Sequence, residues 1–278
     1  MTTNLTSTFA PTRLQKLLGR NYKWWYLFKF SSASTGTGLY GFLISQFSDI
    51  IQVLAIVYIW IINGSSKEII TYLIIGRIFK ALSDCCMAEI IALEIVSGKV
   101  SNYLLLPSEF IFLQFIREIG RRFVYNLGRA GSLLISIFIF FSYIDFKFLN
   151  SNSLLFTLPL IVISFIGSFF MEFILGFSAS FFNDKRNYSG LTRAYAGVIG
   201  VLSGVLIPLD KLPFYKEVIQ FLPTSWWLHH PMQIYLGKYS PLETLYVFLG
   251  GIAWCVVLYF LAKWVFRMGL KRNESVGL

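Results

Sequence analysis

Apolar residues run along this chain in long blocks, separated by short polar and mostly basic stretches. The first block, Leu39–Ile62, has 24 residues. As a helix it would be about 36 Å long, enough to cross a bilayer. Asn63-Gly64-Ser65-Ser66 follows as a tight turn. A second block, 68–93, is interrupted by Arg77, Lys80, Asp84 and Glu89. The apolar run 130–143 is short, so the third span is predicted to begin earlier, near Arg122. The remaining blocks are 154–182, with Pro159 and Glu172 inside it, 191–207, and 242–266. The pattern predicts an all-α membrane protein of six transmembrane helices.

Between the last two spans the chain reads GVIGVLSGVLIPLDKLPFYKEVIQFLPTSWWLHHPMQIYLGK over 197–238. Pro208, Pro213, Pro223 and Pro231 break it repeatedly, and paired tryptophans and histidines lie near its end. Broken, aromatic-rich backbone between two apolar runs predicts short helices over 208–238 that dip into one membrane face and return. Such backbone is tolerated at depth only where protein or water satisfies it. Near the amino terminus, 1–10 is polar. Within 11–30, Arg13, Lys16, Arg20, Lys23 and Lys29 alternate with leucines and tryptophans, as in a helix lying on an anionic leaflet. Residues 1–36 are thus expected to be a tail plus an interfacial helix. No apolar signal-peptide core precedes Leu39, so the first span would direct its own insertion.

Composition sharpens this picture. Hydrophobic residues make up 56% and charged residues 14%, against about a quarter charged in soluble domains. The net charge of +10 flanks apolar runs instead of forming a groove, which argues against a nucleic-acid partner. Three cysteines give no disulfide framework. Most Lys and Arg fall in 1–36, 94–129, 183–193 and 263–272, while Lys67, Lys147, Lys211, Lys216 and Lys238 lie on the opposite side. This bias predicts cytoplasmic termini in a plasma (inner) membrane and puts 208–238 outside.

Candidate chemistry is sparse. G-x-x-x-x-G-K-[ST], H-E-x-x-H and G-x-S-x-G are all missing. Adjacent His229 and His230 would point about 100° apart on a helix and make a poor metal pair. They are expected to be polar tips at an interface beside Trp226 and Trp227. Arg77, Lys80 and Asp84 share roughly one face, which predicts either a polar seam inside a bundle or a span shifted in depth. Glu172 and Asp49 are candidate intramembrane proton sites. No cofactor or metal is expected, and the chain is not expected to be an enzyme.

From Ser203-Gly204 through Ile207-Pro208-Leu209, Leu212-Pro213, Leu222-Pro223, the tryptophan pair and Pro231 to Leu236-Gly237, the chain resembles the type-2 permeases of ATP-binding-cassette (ABC) exporters. It looks closest to six-span permeases paired with a separate ATPase. The pattern E-I-x-x-G-x-V…L-L-x-P at 94–107 sits where that family's coupling loop would lie. The resemblance implies a single permease domain over 1–278, separate ATP-binding subunits, and a second permease copy or a different chain. It makes Glu94, Gly98, Leu105 and Pro107 candidates for ATPase coupling. Gly204, Pro208, Pro213, Pro223 and Pro231 become candidates for an outer gate. A hydrophobic or amphipathic substrate would suit the aromatic load. Two other classes stay open: a secondary transporter or channel using Arg77, Lys80, Asp84 and Glu172, and a lipid-acting enzyme built on the two histidines.

Overall fold

The computed structural model describes residue 27 and residues 39–104, 109–145, 151–181, 185–215 and 217–274. The expected interfacial helix at 11–30 lies outside the described residues, Leu27 apart, as do Leu105 and Pro107. Among the described residues all regular structure is helical, in the order α1 (Leu39–Ile62), α2 (Lys67–Ser83), α3 (Ala88–Val96), α4 (Val100–Leu104), α5 (Phe110–Ile139), α6 (Ser151–Ser178), α7 (Lys185–Leu202), α8 (His229–Tyr235) and α9 (Pro241–Glu274). Single 3-10 turns follow α5 and α6, and three more lie between α7 and α8.

Every residue of α2 from Ile70 to Gly76 is buried. α6 supplies a second core. Phe169, Phe173 and Phe177 recur every fourth residue and so share one face. That face meets Phe110 of α5 and Phe266 of α9, which stack on each other with centroids 5.4 Å apart. α9 lies along α6, and Ser180 and Phe177 sit so close to Gly269 that no larger residue fits there. Large apolar side chains also point outward: Phe138 is 82% exposed, and Leu155, Leu242 and Phe260 are exposed as well. Outward apolar surface of this extent suits a lipid solvent. Two helices, Leu154–Phe181 and Pro241–Arg272, are long and apolar enough to cross a membrane.

Several expected boundaries move. The second block does not form one helix: α2 stops at Ser83 and α3 starts at Ala88. The third helix starts at Phe110, not near Arg122. Its arginines are accommodated because Arg117, Arg121, Arg122 and Arg129 each pair with a carboxylate. α7 starts at Lys185, ahead of the expected 191, and α9 runs on to Glu274, past the expected 266. Between Pro213 and Pro223 the described chain is a series of turns with one 3-10 turn at Ile219–Phe221.

Close helix packing makes a direct prediction. A Cβ on Gly176 would come within 2.8 Å of Ile91 Cβ and 2.9 Å of the Ala88 carbonyl oxygen. Gly176→Val should therefore cost about 1–3 kcal/mol of overpacking and lower the unfolding midpoint in detergent. Gly131→Ala, where the added carbon meets nothing within 4 Å, should leave the midpoint unchanged or slightly raised.

Candidate functional site

The break between α2 and α3 contains neither Gly nor Pro: it is Asp84-Cys85-Cys86-Met87. Its freed backbone groups are taken up by side chains from distant helices. Cys85 N–H donates to Ser168 Oγ at 3.0 Å, Cys86 N–H to Glu118 Oε1 at 3.2 Å, and Ala88 N–H to Glu172 Oε2 at 3.1 Å. The Cys86 carbonyl accepts from Arg121 Nη2 at 2.7 Å. Around this break the charges pair off. Lys80 bonds Asp84, Arg121 forks onto Glu118, and Arg122 reaches Glu118 at 3.1 Å and Asp84 at 4.0 Å. Lys80, Asp84 and Glu172 therefore meet at one place and line one cavity of about 380 Å³. Arg77 does not join them: one of its terminal nitrogens is buried without a hydrogen-bond partner. Asp49 is held bidentately by Arg129 at 2.7 and 2.8 Å, tying α1 to α5.

The α3–α4 pair is built on Glu94. Its side chain is buried and accepts from Gln114 Nε2 at 2.8 Å, Arg117 Nη1 at 2.8 Å and Tyr103 Oη at 3.2 Å. Its main-chain carbonyl accepts from Lys99 N–H at 2.9 Å while Gly98 N–H bonds Ile95 O at 3.0 Å. This double closure is a Schellman turn, which needs a left-handed residue just past the helix end, and Gly98 supplies it with φ +72°. The E-I-x-x-G spacing thus has a physical reason: one residue both closes the turn and anchors it to α5. Leu93, Val96, Ser97, Lys99 and Asn102 are left exposed at the tip.

The segment after α7 packs back into the bundle. Gly204 (φ +85°) lies under Tyr72, and a Cβ there would stand 2.5 Å from the Tyr72 hydroxyl. Pro208 is buried, Pro213 exposed, and Pro223 opens the 3-10 turn Pro223–Trp227. Pro231 falls in the first turn of α8, where no intrahelical N–H is lost. The deepest point is Trp226-Trp227-Leu228. Ser164 donates to the Trp226 carbonyl, Ser83 Oγ donates to the Trp227 carbonyl at 2.8 Å, and the Trp226 indole N–H donates to Val247 O at 2.7 Å. The Trp226 ring lies on the bare faces of Gly250 and Gly251. The two broken segments therefore meet: the tip of one rests on the end of α2, where the other begins.

His229 and His230 are not interfacial tips. They are 0% and 4% exposed. His230 Nε2 faces the Gln220 carbonyl at 3.0 Å, so it carries the proton, and Nδ1 must accept from Tyr239 Oη at 2.8 Å. Tyr215 Oη lies 2.7 Å from His229 Nε2, and ring contacts run from Tyr215 through His229 and His230 to Tyr239. Nothing in the sequence signalled this chain of four rings, since Tyr215 and Tyr239 come from turns on either side. Burial pushes the His229 pKa well below its usual value, with the neighbouring His230 and Lys238 adding to it. Burial also lowers His230 to about 4, against a smaller opposing effect from the Gln220 carbonyl. Among the described residues no group of three His, Cys, Asp or Glu side chains could hold a metal ion.

Comparison with protein-family models gives a match to the ABC-2 family transporter protein model over residues 43–277. Comparisons with curated proteins and with solved structures return no match. The matched region covers most of the chain, including the helix break, the Glu94 turn and the Trp226 tip. The chain belongs to the ABC-2 transporter family and is an integral membrane subunit of that kind.

Two predictions follow from this geometry. Glu94→Ala removes the shared acceptor of Gln114, Arg117 and Tyr103 and should cost about 1–3 kcal/mol, read as a lower unfolding midpoint with faster hydrogen exchange over 88–104. Combining it with Arg117→Met should recover part of the loss. For the histidines, the unfolded chain binds protons below about pH 6.5 while the folded chain resists them. Their contribution to stability is complete above pH 6.5 and falls away as pH drops towards 4. A chain carrying His229→Asn and His230→Gln should show a flatter midpoint across that window than the parent.

Proposed function

We propose that the chain is the membrane half of an ATP-driven exporter, working with separate ATP-binding subunits and a second permease, either another copy or a different chain. One observation carries the reading: the α3–α4 hairpin. A docking element must transmit a push without yielding, and this one is cross-braced to α5 through the Glu94 carboxylate and closed at Gly98. Glu94 and Gly98 would then hold the coupling segment in shape, with Leu105 and Pro107 completing it. Residues 11–30 would lie on the same leaflet.

In this reading α1, α2–α3, α5, α6, α7 and α9 are six spans with both termini cytoplasmic in the plasma membrane. The 203–238 segment is an outer re-entrant cap. Gly204, Pro208, Pro213, Pro223 and Pro231 shape it as a gate over the cavity at the helix break. ATP-driven closure of the partner subunits would tilt the hairpin and, through α5 and α6, the break beneath the cap. A hydrophobic or amphipathic substrate would suit the route. A second reading, an ion-coupled transporter, is favoured by Glu172, whose charge has no cation partner among the described residues.

The test has two arms. Affinity-purified chain should bring with it a subunit carrying an ATP-binding-cassette sequence and hydrolyse ATP as a complex. Val96→Asp at the hairpin tip should weaken that complex while the chain still folds. Transport by the chain alone in ATP-free vesicles driven by an ion gradient would overturn the proposal in favour of the second reading. For topology, in a chain with Cys86 and Cys255 replaced by Ala, Asp210→Cys should react with an impermeant maleimide on intact cells. Lys99→Cys should react only after permeabilisation, and the reverse pattern would sink the orientation.

A further inference from the structure

The cavity at the helix break carries a charge pattern that its architecture does not require. Among the described residues its lining contains one cation, Lys80, against three carboxylates, Asp84, Glu89 and Glu172, in a protein whose net charge is +10. Asp84 is satisfied by Lys80 with Arg122 behind it, and Glu118 outside the lining takes Arg121 and Arg122. Glu172 receives only the Ala88 N–H, at 3.1 Å, and the ion pairs among the described residues leave it without a cation. A neutral amide oxygen would hold that N–H equally well. An ionised carboxylate at this place is costly unless a cation pairs with it. The lining also carries apolar Leu175, Ile199 and Val205.

We propose that this cavity binds an organic cation, with its ammonium or guanidinium head against Glu172 and a small apolar body along Leu175, Ile199 and Val205. The inference deepens the transport reading by assigning a substrate class, and it rests on that reading only for the route. A volume of about 380 Å³ is at the small end for ligand pockets, which run from roughly 300 to 1,000 Å³. An anion would meet three carboxylates there, and the one lysine is already engaged by Asp84.

Cys86 is exposed on the same lining and Cys85 beside it is buried, so the chain carries its own reporter. In membranes containing the full chain with Cys255→Ala, labelling rates are measured for two methanethiosulfonates. One bears a trimethylammonium group and the other a sulfonate, each normalised to its rate with a small free thiol. The cationic reagent should be faster by about tenfold or more, the low end of electrostatic focusing in a cleft. Glu172→Gln, which keeps an acceptor for Ala88 N–H, should cut that ratio several-fold, while Glu172→Asp should largely retain it. Benzyltrimethylammonium should slow labelling of the chain with native Glu172, and benzenesulfonate at equal concentration should not. That pair stands even if the Gln variant fails to fold. A ratio near or below one, a ratio unchanged by Glu172→Gln in a folded chain, or equal protection by both additives would overturn the proposal. Labelling needs neither ATP nor a partner subunit, so it decides the cavity's preference even if ATP-driven transport is disproved.

Discussion

The structure depends on a rule about backbone amides. Away from water, each N–H and C=O needs a partner inside the protein, because an unsatisfied group costs several kcal/mol. A continuous helix meets the rule by itself. Among the described residues, departures from it at 84–87 and at 226–228 are repaired by side chains from other helices. Ser168, Glu118 and Glu172 take the N–H groups of the first break, and Ser83 and Ser164 serve carbonyls of the second. The repairs interlock, since Ser83 is the last residue of α2 and closes the second break from the edge of the first. Neither break can be straightened without stranding polar groups in the other's supporters.

This interdependence also decides what could be read from the sequence. Long apolar blocks announced α1, α6 and α9 with nearly correct limits, because a bilayer-length run has few alternatives. Glu94 and Gly98 stood out only through the family resemblance; the reason for their spacing, a Schellman closure with its glycine at one fixed place, lies in the fold. The break at 84–87 was not, since no residue within it disfavours a helix. It exists because acceptors 32 to 84 positions away compete for its amides. The start of α5 was misplaced for a related reason. Its arginines look like interfacial charges until the carboxylates that meet them, Glu94, Glu118 and Asp49, are placed beside them in space. Of the candidate residues, Lys80, Asp84 and Glu172 converge, whereas Arg77 stands apart.

Between the hairpin and the bundle lies aromatic packing. Tyr103 of α4 packs on Phe110 of α5, and Phe110 stacks on Phe266 of α9 and meets Phe173 and Phe177 of α6 edge-on. Close-packed rings of this kind behave as a solid joint. Glu172, one residue before Phe173, sits on the helix that this joint grips, so aromatic packing connects the α3–α4 hairpin to a helix that lines the cavity.

The ring contacts in the 203–240 segment run without interruption from Tyr215 through His229 and His230 to Tyr239, with neighbouring centroids 4.9, 5.6 and 5.9 Å apart. The Gln220 carbonyl, which can only accept, keeps the His230 proton on Nε2 and so makes Tyr239 the donor to Nδ1. Because that anchor is a main-chain oxygen, the tautomer is written into the backbone turn at 220 and is indifferent to which side chain occupies that position.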